Sequence, residues 1–248
     1  MTALTSAIKS ELRTEIQDYF KAQDEVLKPC FYAVTGSHLY GTSGSNSDID
    51  IKGYHCTAGS RYMLFDSPET HRNIQTTIPS AEPTIEITSY ELRKFGKMLL
   101  QSDFSVVELI GSEMDVYTRE NAYPHGIEEI LADTLPGELP ARYLGMAESI
   151  YERDVKESSP TDAADLKPYV YTLRGCLAAE YVHKHGAVEP RLQPLAASLL
   201  ETESLEQVQQ FIDALQADQL PSQAVLTALR QVITERIGAV EATEFDAE

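Results

Sequence analysis

The sequence predicts an α/β protein of the α+β type, in which a small mixed sheet is followed by an all-helical C-terminal half. In the N-terminal half, short apolar or alternating runs are separated by glycine-rich and proline-rich segments, which is typical of strands and loops. From about residue 123 onward, nearly every segment has apolar residues at helical spacing. We therefore predict two domains, residues 1–118 and 119–248.

The N-terminal half is predicted to begin and end with helices that flank a group of short strands. Residues 4–24 form the first helix, since Ile8, Leu12 and Ile16 recur at helical spacing. Residues 67–83 contain three prolines and are predicted to be a long loop. The predicted strands are Cys30 to Thr35, Asp48 to Thr57, Arg61 to Asp66 and Thr84 to Thr88, and a helix is predicted from Ser89 to about Leu100.

The C-terminal half is predicted to contain only helices. No apolar run approaches the length needed to cross a bilayer, and residues 1–10 lack the apolar stretch of a signal peptide. We therefore expect a cytoplasmic protein with no membrane partner. The predicted helical segments are residues 125–133, 139–157, 165–185, 194–201, 204–216 and 221–237.

The balance of charges limits the classes of partner. The chain has 248 residues, 42% of them hydrophobic, and a net charge of -19 from 39 acidic and 20 basic residues. The hydrophobic content excludes a disordered chain, and an acidic surface argues against a large sequence-independent nucleic-acid interface because it repels polyanions. An acid-rich, lysine-poor composition is also what a high-salt cytoplasm favours, and screening there would leave the acidity with little bearing on partners.

The cysteine and histidine pattern indicates neither a disulfide framework nor a zinc site. Cys30, Cys56 and Cys176 are an odd number and lie far apart, which predicts reduced thiols. His183 and His185 are two residues apart and would point to different faces of a helix.

Two aspartates define the first candidate site. Asp48 and Asp50 are two residues apart on a predicted strand, so both carboxylates point to one side while Ile49 and Ile51 point to the core. Adjacent carboxylates repel each other unless a cation lies between them, and Mg²⁺ prefers such oxygen ligands. A motif this short also leaves open a solvated edge strand with two unrelated acids.

A glycine turn precedes the two aspartates. Gly36 and Ser37 follow the first strand, where a glycine backbone can approach phosphate oxygens closely; an ordinary turn is the alternative. Gly36 and Gly41 also have the spacing of a Walker A loop, but Thr42 stands where that loop requires lysine. This difference excludes a P-loop NTPase.

These residues together resemble the DNA polymerase β-type nucleotidyltransferase superfamily, whose signature is Gly-Ser after a strand and Asp-x-Asp on the next strand. A longer resemblance, to the RlaP-type nucleotidyltransferases associated with RNA repair, extends over roughly residues 30–195. Two positions depart from that pattern: Glu86 stands where aspartate is commoner, and Phe104-Ser105 replaces an asparagine-proline pair. The resemblance rests on Gly36-Ser37-x-x-Tyr40-Gly41, Ser47-Asp48-x-Asp50-x-x-Gly53, Tyr62-Met63-Leu64, the run from Glu86 to Phe95, Val107-Glu108-Leu109 and Lys167-x-x-x-Tyr171-x-x-Arg174.

The resemblance implies a two-metal transferase that uses Mg²⁺ or Mn²⁺. The implied reaction moves a nucleoside monophosphate from an NTP to a hydroxyl and releases pyrophosphate. The acceptor is left open among an RNA end, a protein and a small molecule. The implied catalytic and metal-binding residues are Asp48, Asp50 and Glu86, and the implied nucleotide-binding residues include Gly36, Ser37, Tyr40 and Gly41.

The helical half contributes two further candidates. Lys167, Tyr171 and Arg174 form one stripe of a predicted helix, beside an apolar stripe that should pack into the protein. Two bases on one face of so acidic a chain favour an anionic contact, so Lys167 and Arg174 are predicted to bind the triphosphate. The alternative is a solvated face whose bases pair with nearby acids such as Asp165.

Two other functions are compatible with parts of the sequence. A catalytically silent nucleotide-binding or antitoxin-like partner protein would keep the fold and lose a carboxylate, whereas all three candidate acids are present here. A helical RNase of the HEPN type would use an Arg-x4–6-His pair, and Arg119 and His125 have that spacing. Pro124 lies between these two residues, so they are not expected to share one helix, and we interpret the spacing as coincidence.

Overall fold

The predicted α+β fold class is confirmed, since strands lie in the N-terminal half and the described C-terminal half is helical. The assignment of residues 1–118 to a catalytic domain and 119–248 to a helical domain stays a prediction. The chain divides into two compact units, one comprising Met1–His38 and Asp48–Glu128 and the other comprising Leu39–Ser47 and Glu129–Glu248. The computed structural model describes residues 6–22, 27–57, 74–78, 83–110, 112, 114–119 and 137–241.

The first unit is built around a mixed sheet. Its elements are α1 (Ser6–Ala22), β1 (Leu27–Thr35), the first three residues of α2 (Gly36–Tyr40), β2 (Ile49–Thr57), β3 (Ile74–Ile78), β4 (Ile85–Glu91), α3 (Leu92–Leu100), α4 (Phe104–Ile110) and β5 (Asp115–Thr118). Within the described residues the strand order is β3-β4-β2-β1-β5. Strands β2 and β4 run parallel, and the other neighbouring strands run antiparallel.

One face of this sheet is apolar and packs against α1. Alternate residues of β2, Ile49 and Ile51, lie on this face next to Ile85 and Ile87 of β4, and all four are buried. Burial of each such side chain contributes about 1.5–3 kcal/mol, so this cluster is a main source of the unit's stability. The cluster also includes Leu12, Ile16 and Phe20 of α1 and Tyr32 and Val34 of β1.

The opposite face of the sheet is apolar at one end and polar at the other. Tyr54 of β2 packs on Phe95 of α3, with ring centroids 4.6 Å apart, and on Phe31 of β1. Toward the beginning of β2 the same face carries Asp50 and Lys52, which are both half-buried. The candidate functional side chains of β2 therefore lie at the polar end of this face.

Strands β2 and β4 differ slightly from their predicted bounds. β2 begins at Ile49, so Asp48 immediately precedes the strand. β4 continues to Glu91, beyond the predicted helix start at Ser89, because Ser89 and the residue after it pair with β2. Hydrogen bonding in the sheet thus outweighs the local helical signal. Glu91 then caps α3, its Oε2 accepting a hydrogen bond from the backbone N–H of Arg93 at 2.8 Å.

The loop prediction for residues 67–83 is wrong at residues 74–78, which form β3. Ile74 pairs with Ser89 and Ile78 with Ile85 in an antiparallel ladder, so a neighbouring strand supplies the hydrogen bonds that stabilise β3. Local composition does not reveal such a partner. Helix α4 and strand β5 are also absent from the sequence-based prediction. The expected strand Arg61 to Asp66 and the motif Tyr62-Met63-Leu64 lie outside the described residues.

The second unit is helical, as predicted, although its helix ends differ from the predicted ones by a few residues. The predicted helix 139–157 corresponds to α5 (Leu139–Ile150), which continues as a π-helical turn (Tyr151–Val155). The predicted helix 125–133 lies outside the described residues. The remaining elements are a 3-10 turn (Ala164–Leu166), α6 (Lys167–His185), α7 (Leu192–Leu199), α8 (Thr202–Gln216) and α9 (Gln223–Glu241).

Helix α6 is the central helix of the second unit. Every residue from Thr172 to Glu180 is buried, and the predicted apolar stripe that includes Leu166, Leu173 and Leu177 is confirmed. The helix ends at Gly186, which has φ of 60° and whose N–H donates to the Val182 carbonyl at 2.8 Å. No helix in the described part of the chain is long and apolar enough to span a membrane.

Candidate active site

Two of the three predicted metal carboxylates belong to directly paired residues. Asp50 on β2 and Glu86 on β4 are partners in the parallel register. Because paired residues direct their side chains to the same face of a sheet, both carboxylates lie on the face opposite the buried isoleucines. Asp50 is half-buried and Glu86 is exposed. The register of β2 and β4 therefore places two acids side by side at the polar end of this face.

Asp48 lies at the entrance to β2 and is exposed. The sheet pairing begins next to it, since the N–H of Ile49 donates to the carbonyl of Thr84 at 2.8 Å. The assignment of Asp48 to the same metal site as Asp50 and Glu86 stays a prediction.

The predicted phosphate turn lies against one of these acids. Gly36 follows β1 with φ of 64°, and Thr35 immediately before it pairs with Asp50. A Cβ atom built on Gly36 would overlap the Asp50 carboxylate and would lie 3.1 Å from its Cγ. The backbone at Gly36 therefore approaches Asp50 as closely as only glycine permits. Ser37, the next residue, is half-buried.

Lys52, which is not among the predicted site residues, lies on the same polar surface. It follows Asp50 by two residues on β2, so its side chain lies on the same face of the sheet. Its partner on β4 is Thr88, just as Glu86 is the partner of Asp50. Side chains two residues apart on a strand point to the same side, which is the rule that grouped Asp48 with Asp50. The same rule could have identified Lys52 as the base nearest to these acids along the strand.

The donor set of the first unit fits a magnesium or manganese ion that binds together with its nucleotide. Among the residues that the structure describes, no group of three or more acidic, histidine or cysteine side chains is close enough to form a complete metal site. Mg²⁺ commonly binds proteins through one or two carboxylates and completes its shell with water and substrate phosphates. The paired carboxylates of Asp50 and Glu86 supply such a minimal set.

Tyr40, a predicted nucleotide-binding residue, is held in the second unit by α6. The guanidinium of Arg174 lies 3.8 Å from the centroid of the Tyr40 ring, and Tyr171 meets the same ring edge-on at 6.2 Å. Arg174 is completely buried, and Tyr143 provides a second ring 5.9 Å from its guanidinium. The structure thus brings Tyr40, Tyr171 and Arg174 together, and it gives Arg174 a stacking contact with Tyr40.

The rest of the 39–47 segment is attached to the end of α8. Gln216 donates through Nε2 to the carbonyl of Gly41 at 2.9 Å. Asp218, just after the helix, accepts from Ser45 Oγ at 2.7 Å and from Asn46 Nδ2 at 3.4 Å. The segment that connects the glycine turn to Asp48 is therefore ordered by hydrogen bonds within the helical unit.

Lys167, the second predicted triphosphate-binding base, is the first residue of α6 and is exposed. Asp165, considered as its pairing acid, instead accepts hydrogen bonds from the N–H of Thr161 at 2.8 Å and from its Oγ1 at 3.0 Å. These hydrogen bonds lower the pKa of the Asp165 carboxyl. The binding of nucleotide by Lys167 and Arg174 stays a prediction. His125, the partner of Arg119 in the RNase-type spacing, lies outside the described residues.

The comparisons with known proteins include one sequence relative and one solved structure. The "Uncharacterized protein YcgL" of Bacillus subtilis (strain 168) is 26% identical over 165 residues, which are 64% of this chain and 58% of that protein. This chain therefore spans less than two thirds of that relative's length. A nucleotidyltransferase-like protein from Exiguobacterium sibiricum 255-15 aligns with a TM-score of 0.33 and 9% identity, over 94% of this chain and 75% of that chain.

The family assignment extends over nearly the whole sequence. Residues 8–247 match the family RlaP, which is described as the RNA repair pathway DNA polymerase beta family. This range includes the glycine turn, the three candidate acids and the helical unit. The chain belongs to the RlaP family of DNA polymerase β-type nucleotidyltransferases.

Proposed function

We propose that this protein is a divalent-metal-dependent nucleotidyltransferase that transfers a nucleoside monophosphate from an NTP to a hydroxyl at an RNA end. The direct pairing of Asp50 with Glu86, beside the backbone of Gly36, is the observation that carries the proposal. The family's description favours RNA over a protein or a small molecule as the acceptor.

The reaction is an in-line displacement at the α-phosphorus of the NTP. The acceptor hydroxyl oxygen forms a bond to this phosphorus, the bond from phosphorus to the oxygen shared with the β-phosphate breaks, and pyrophosphate leaves with the electron pair. Asp48, Asp50 and Glu86 would hold the divalent ion, which when bound neutralises charge on the phosphates and polarises the phosphoryl group. The hydroxyl proton passes to an acceptor at the exposed edge of this site, for which Glu86 is available.

The remaining residues of the site act on the nucleotide. Gly36 and Ser37 offer backbone that phosphate oxygens can approach, and Lys52 supplies positive charge on the same face as Asp50. Tyr40 stays a predicted nucleotide-binding residue, and it lies on the segment that the helical unit orders. Arg174 is buried and stacks on the Tyr40 ring. We therefore propose that Arg174 affects nucleotide binding by positioning this ring.

The proposal is tested with the full chain, each of four labelled NTPs, and magnesium or manganese chloride. The acceptors are synthetic RNAs with different 3′ and 5′ ends, a cellular protein extract and a small-molecule pool, each supplied separately. We expect label on one kind of RNA end and pyrophosphate release in equal amount. Asp50→Asn, which removes charge and conserves shape, is the negative control.

The other outcomes separate the competing functions. Label in protein or in a small molecule would retain nucleotidyl transfer and overturn the RNA acceptor. NTP binding without pyrophosphate release under any of these conditions would indicate the catalytically silent partner protein. Activity that survives unchanged in Asp50→Asn and Glu86→Gln would overturn the proposed site.

A further inference from the structure

Two cysteine thiols meet across neighbouring strands of the sheet. The Sγ of Cys30 on β1 donates a hydrogen bond to the Sγ of Cys56 on β2, with the two sulfur atoms 3.1 Å apart. Both cysteines carry free thiols. Their separation of 26 positions gives no hint of this contact in the sequence.

A β-bulge produces the contact. In the antiparallel register of β1 and β2, Cys56 pairs with Lys28, and the register shifts between Pro29 and Phe31. Cys30 is therefore the extra residue of the bulge, which has no direct partner on β2. A bulge bends its strand and redirects one side chain, and here it turns the Cys30 thiol toward Cys56.

We propose that Cys30 and Cys56 are a covalent modification site, a redox pair that a peroxide converts reversibly into a disulfide. The proposal does not depend on the proposed nucleotidyl transfer. It rests on the sulfur contact, on the bulge that creates it, and on the unequal exposure of the two thiols.

The unequal exposure assigns a different role to each cysteine. Cys30 is buried, with 2% of its surface exposed, whereas Cys56 is only partly buried. The hydrogen bond from Cys30 lowers the pKa of the Cys56 thiol to about 7, against opposing effects of burial and of the Glu91 charge. The same hydrogen bond and burial raise the pKa of Cys30. Since the thiolate is the nucleophile, Cys56 attacks the oxidant and Cys30 resolves the product.

The chemistry balances with hydrogen peroxide as the sole oxidant. The Cys56 sulfur attacks one peroxide oxygen, the O–O bond breaks, and the products are a sulfenic acid on Cys56 and one molecule of water. The Cys30 sulfur then attacks the Cys56 sulfur, the S–O bond breaks, and the leaving hydroxide departs as a second water with the Cys30 proton. Two thiols and one peroxide thus become one disulfide and two waters.

Cys176 provides an internal comparison. It is completely buried in α6, where its Sγ donates to the Leu173 carbonyl at 3.2 Å. Burial raises the pKa of this thiol to about 12. Cys176 is therefore expected to stay reduced while the other two cysteines react.

The test exposes the native full chain to increasing hydrogen peroxide at neutral pH. Remaining thiols are then alkylated after denaturation, and the protein is digested without reduction. We expect the number of titratable thiols to fall from three to one, a single crosslinked peptide joining Cys30 to Cys56, and full recovery of three thiols with dithiothreitol. Non-reducing electrophoresis should show only monomer, since the pair forms within one chain.

Two variants test the order of the steps. Cys30→Ser should accumulate sulfenic acid on Cys56, captured by dimedone, and Cys56→Ser should leave Cys30 reduced at the same peroxide concentration. The wild-type experiment decides the proposal even if either variant fails to fold. Retention of three thiols at peroxide levels that oxidise free cysteine would overturn it, and so would a crosslink that includes Cys176 or a second chain.

Discussion

Gly36 lies so close to the carboxylate of Asp50 that no side chain fits between them. This contact joins the predicted phosphate turn to the predicted metal-binding strand. The carboxylate of Asp50 can occupy its position only because residue 36 is glycine.

Gly36→Ala should abolish the proposed nucleotidyl transfer by displacing Asp50. The new Cβ would overlap the carboxylate, and a non-glycine residue at φ of 64° is strained by about 1 kcal/mol. We expect the turnover number to fall by at least about a hundredfold, since a misplacement of catalytic groups by about 1 Å has that effect. Steady-state transfer kinetics and thermal unfolding measure the two consequences separately.

Gly186→Ala is the matched control for this substitution. Gly186 has a similar φ of 60°, but a Cβ there would meet no atom within 4 Å. Gly186→Ala should therefore lower thermal stability through the same backbone strain and leave the turnover number normal. Equal turnover in both variants would mean that Asp50 tolerates the displacement or is not catalytic.

Neutralising either member of the acid pair should reduce activity and leave stability unchanged or higher. Like charges at directly opposed sheet positions destabilise by roughly 0.2–1 kcal/mol, so Asp50→Asn and Glu86→Gln relieve a repulsion in the metal-free protein. The turnover number should fall by about a hundredfold or more, because each substitution removes a proposed ligand of the metal ion that would neutralise transition-state charge. Chemical denaturation in the presence of a chelator, together with transfer kinetics, checks both changes.

Asp115→Asn is the control for the acid pair, because Asp115 is an exposed acid on β5 of the same sheet. Asp115→Asn should change neither the turnover number nor the stability to denaturant appreciably. A loss of stability in Asp50→Asn or Glu86→Gln, with activity intact, would contradict a metal-binding pair and favour a structural role for these acids.

Lys52→Ala should weaken NTP binding more than it slows chemistry. The side chain lies on the face of Asp50, and a charge-assisted hydrogen bond to a phosphate contributes about 1.5–3 kcal/mol, or about a ten- to hundredfold change in affinity. We therefore expect a higher KM, with Lys52→Arg largely restored. The exposed lysine of α3 provides the comparison: Lys97→Ala should leave KM at the wild-type value. An unchanged KM in Lys52→Ala would remove this residue from the site.

Arg174→Ala should weaken NTP binding through Tyr40. If the stacking contact of 3.8 Å positions the Tyr40 ring, then Tyr40→Ala should cause a similar loss of about ten- to a hundredfold. The double variant should be no worse than either single one, because both remove the same contact. Arg174→Lys should recover only part of the affinity, since lysine lacks the planar guanidinium. Titration calorimetry with magnesium and nucleotide measures all four variants.

Arg230→Ala controls for a general effect of losing a tyrosine-stacked arginine in the helical unit. Its guanidinium lies 5.5 Å from the Tyr169 ring and donates to the Val155 carbonyl at 3.2 Å. The substitution should lower thermal stability and leave the affinity of the folded protein unchanged. Additive losses in the Tyr40–Arg174 double variant would instead indicate that each residue contacts the nucleotide independently.

Local sequence determined the features that depend on residues near one another in the chain. The helical spacing of Leu12 and Ile16 predicted helix α1, and the alternation of Asp50 with Ile49 and Ile51 predicted a strand with one polar and one apolar side. Such periodicities are properties of a single helix or strand. They are therefore visible in the sequence even when the elements that pack against that helix or strand are unknown. The division into a mixed sheet and a helical half followed from the same signals.

Tertiary structure decided which residues became neighbours. The parallel register paired Asp50 with Glu86, a bulge brought Cys30 to Cys56, and packing of α6 placed Arg174 against Tyr40. Each contact joins segments that are distant in sequence and depends on strand order, register or helix packing, which the whole chain settles cooperatively. For this reason the sequence predicted the types of residue in the candidate site, while the fold decided which of them are paired.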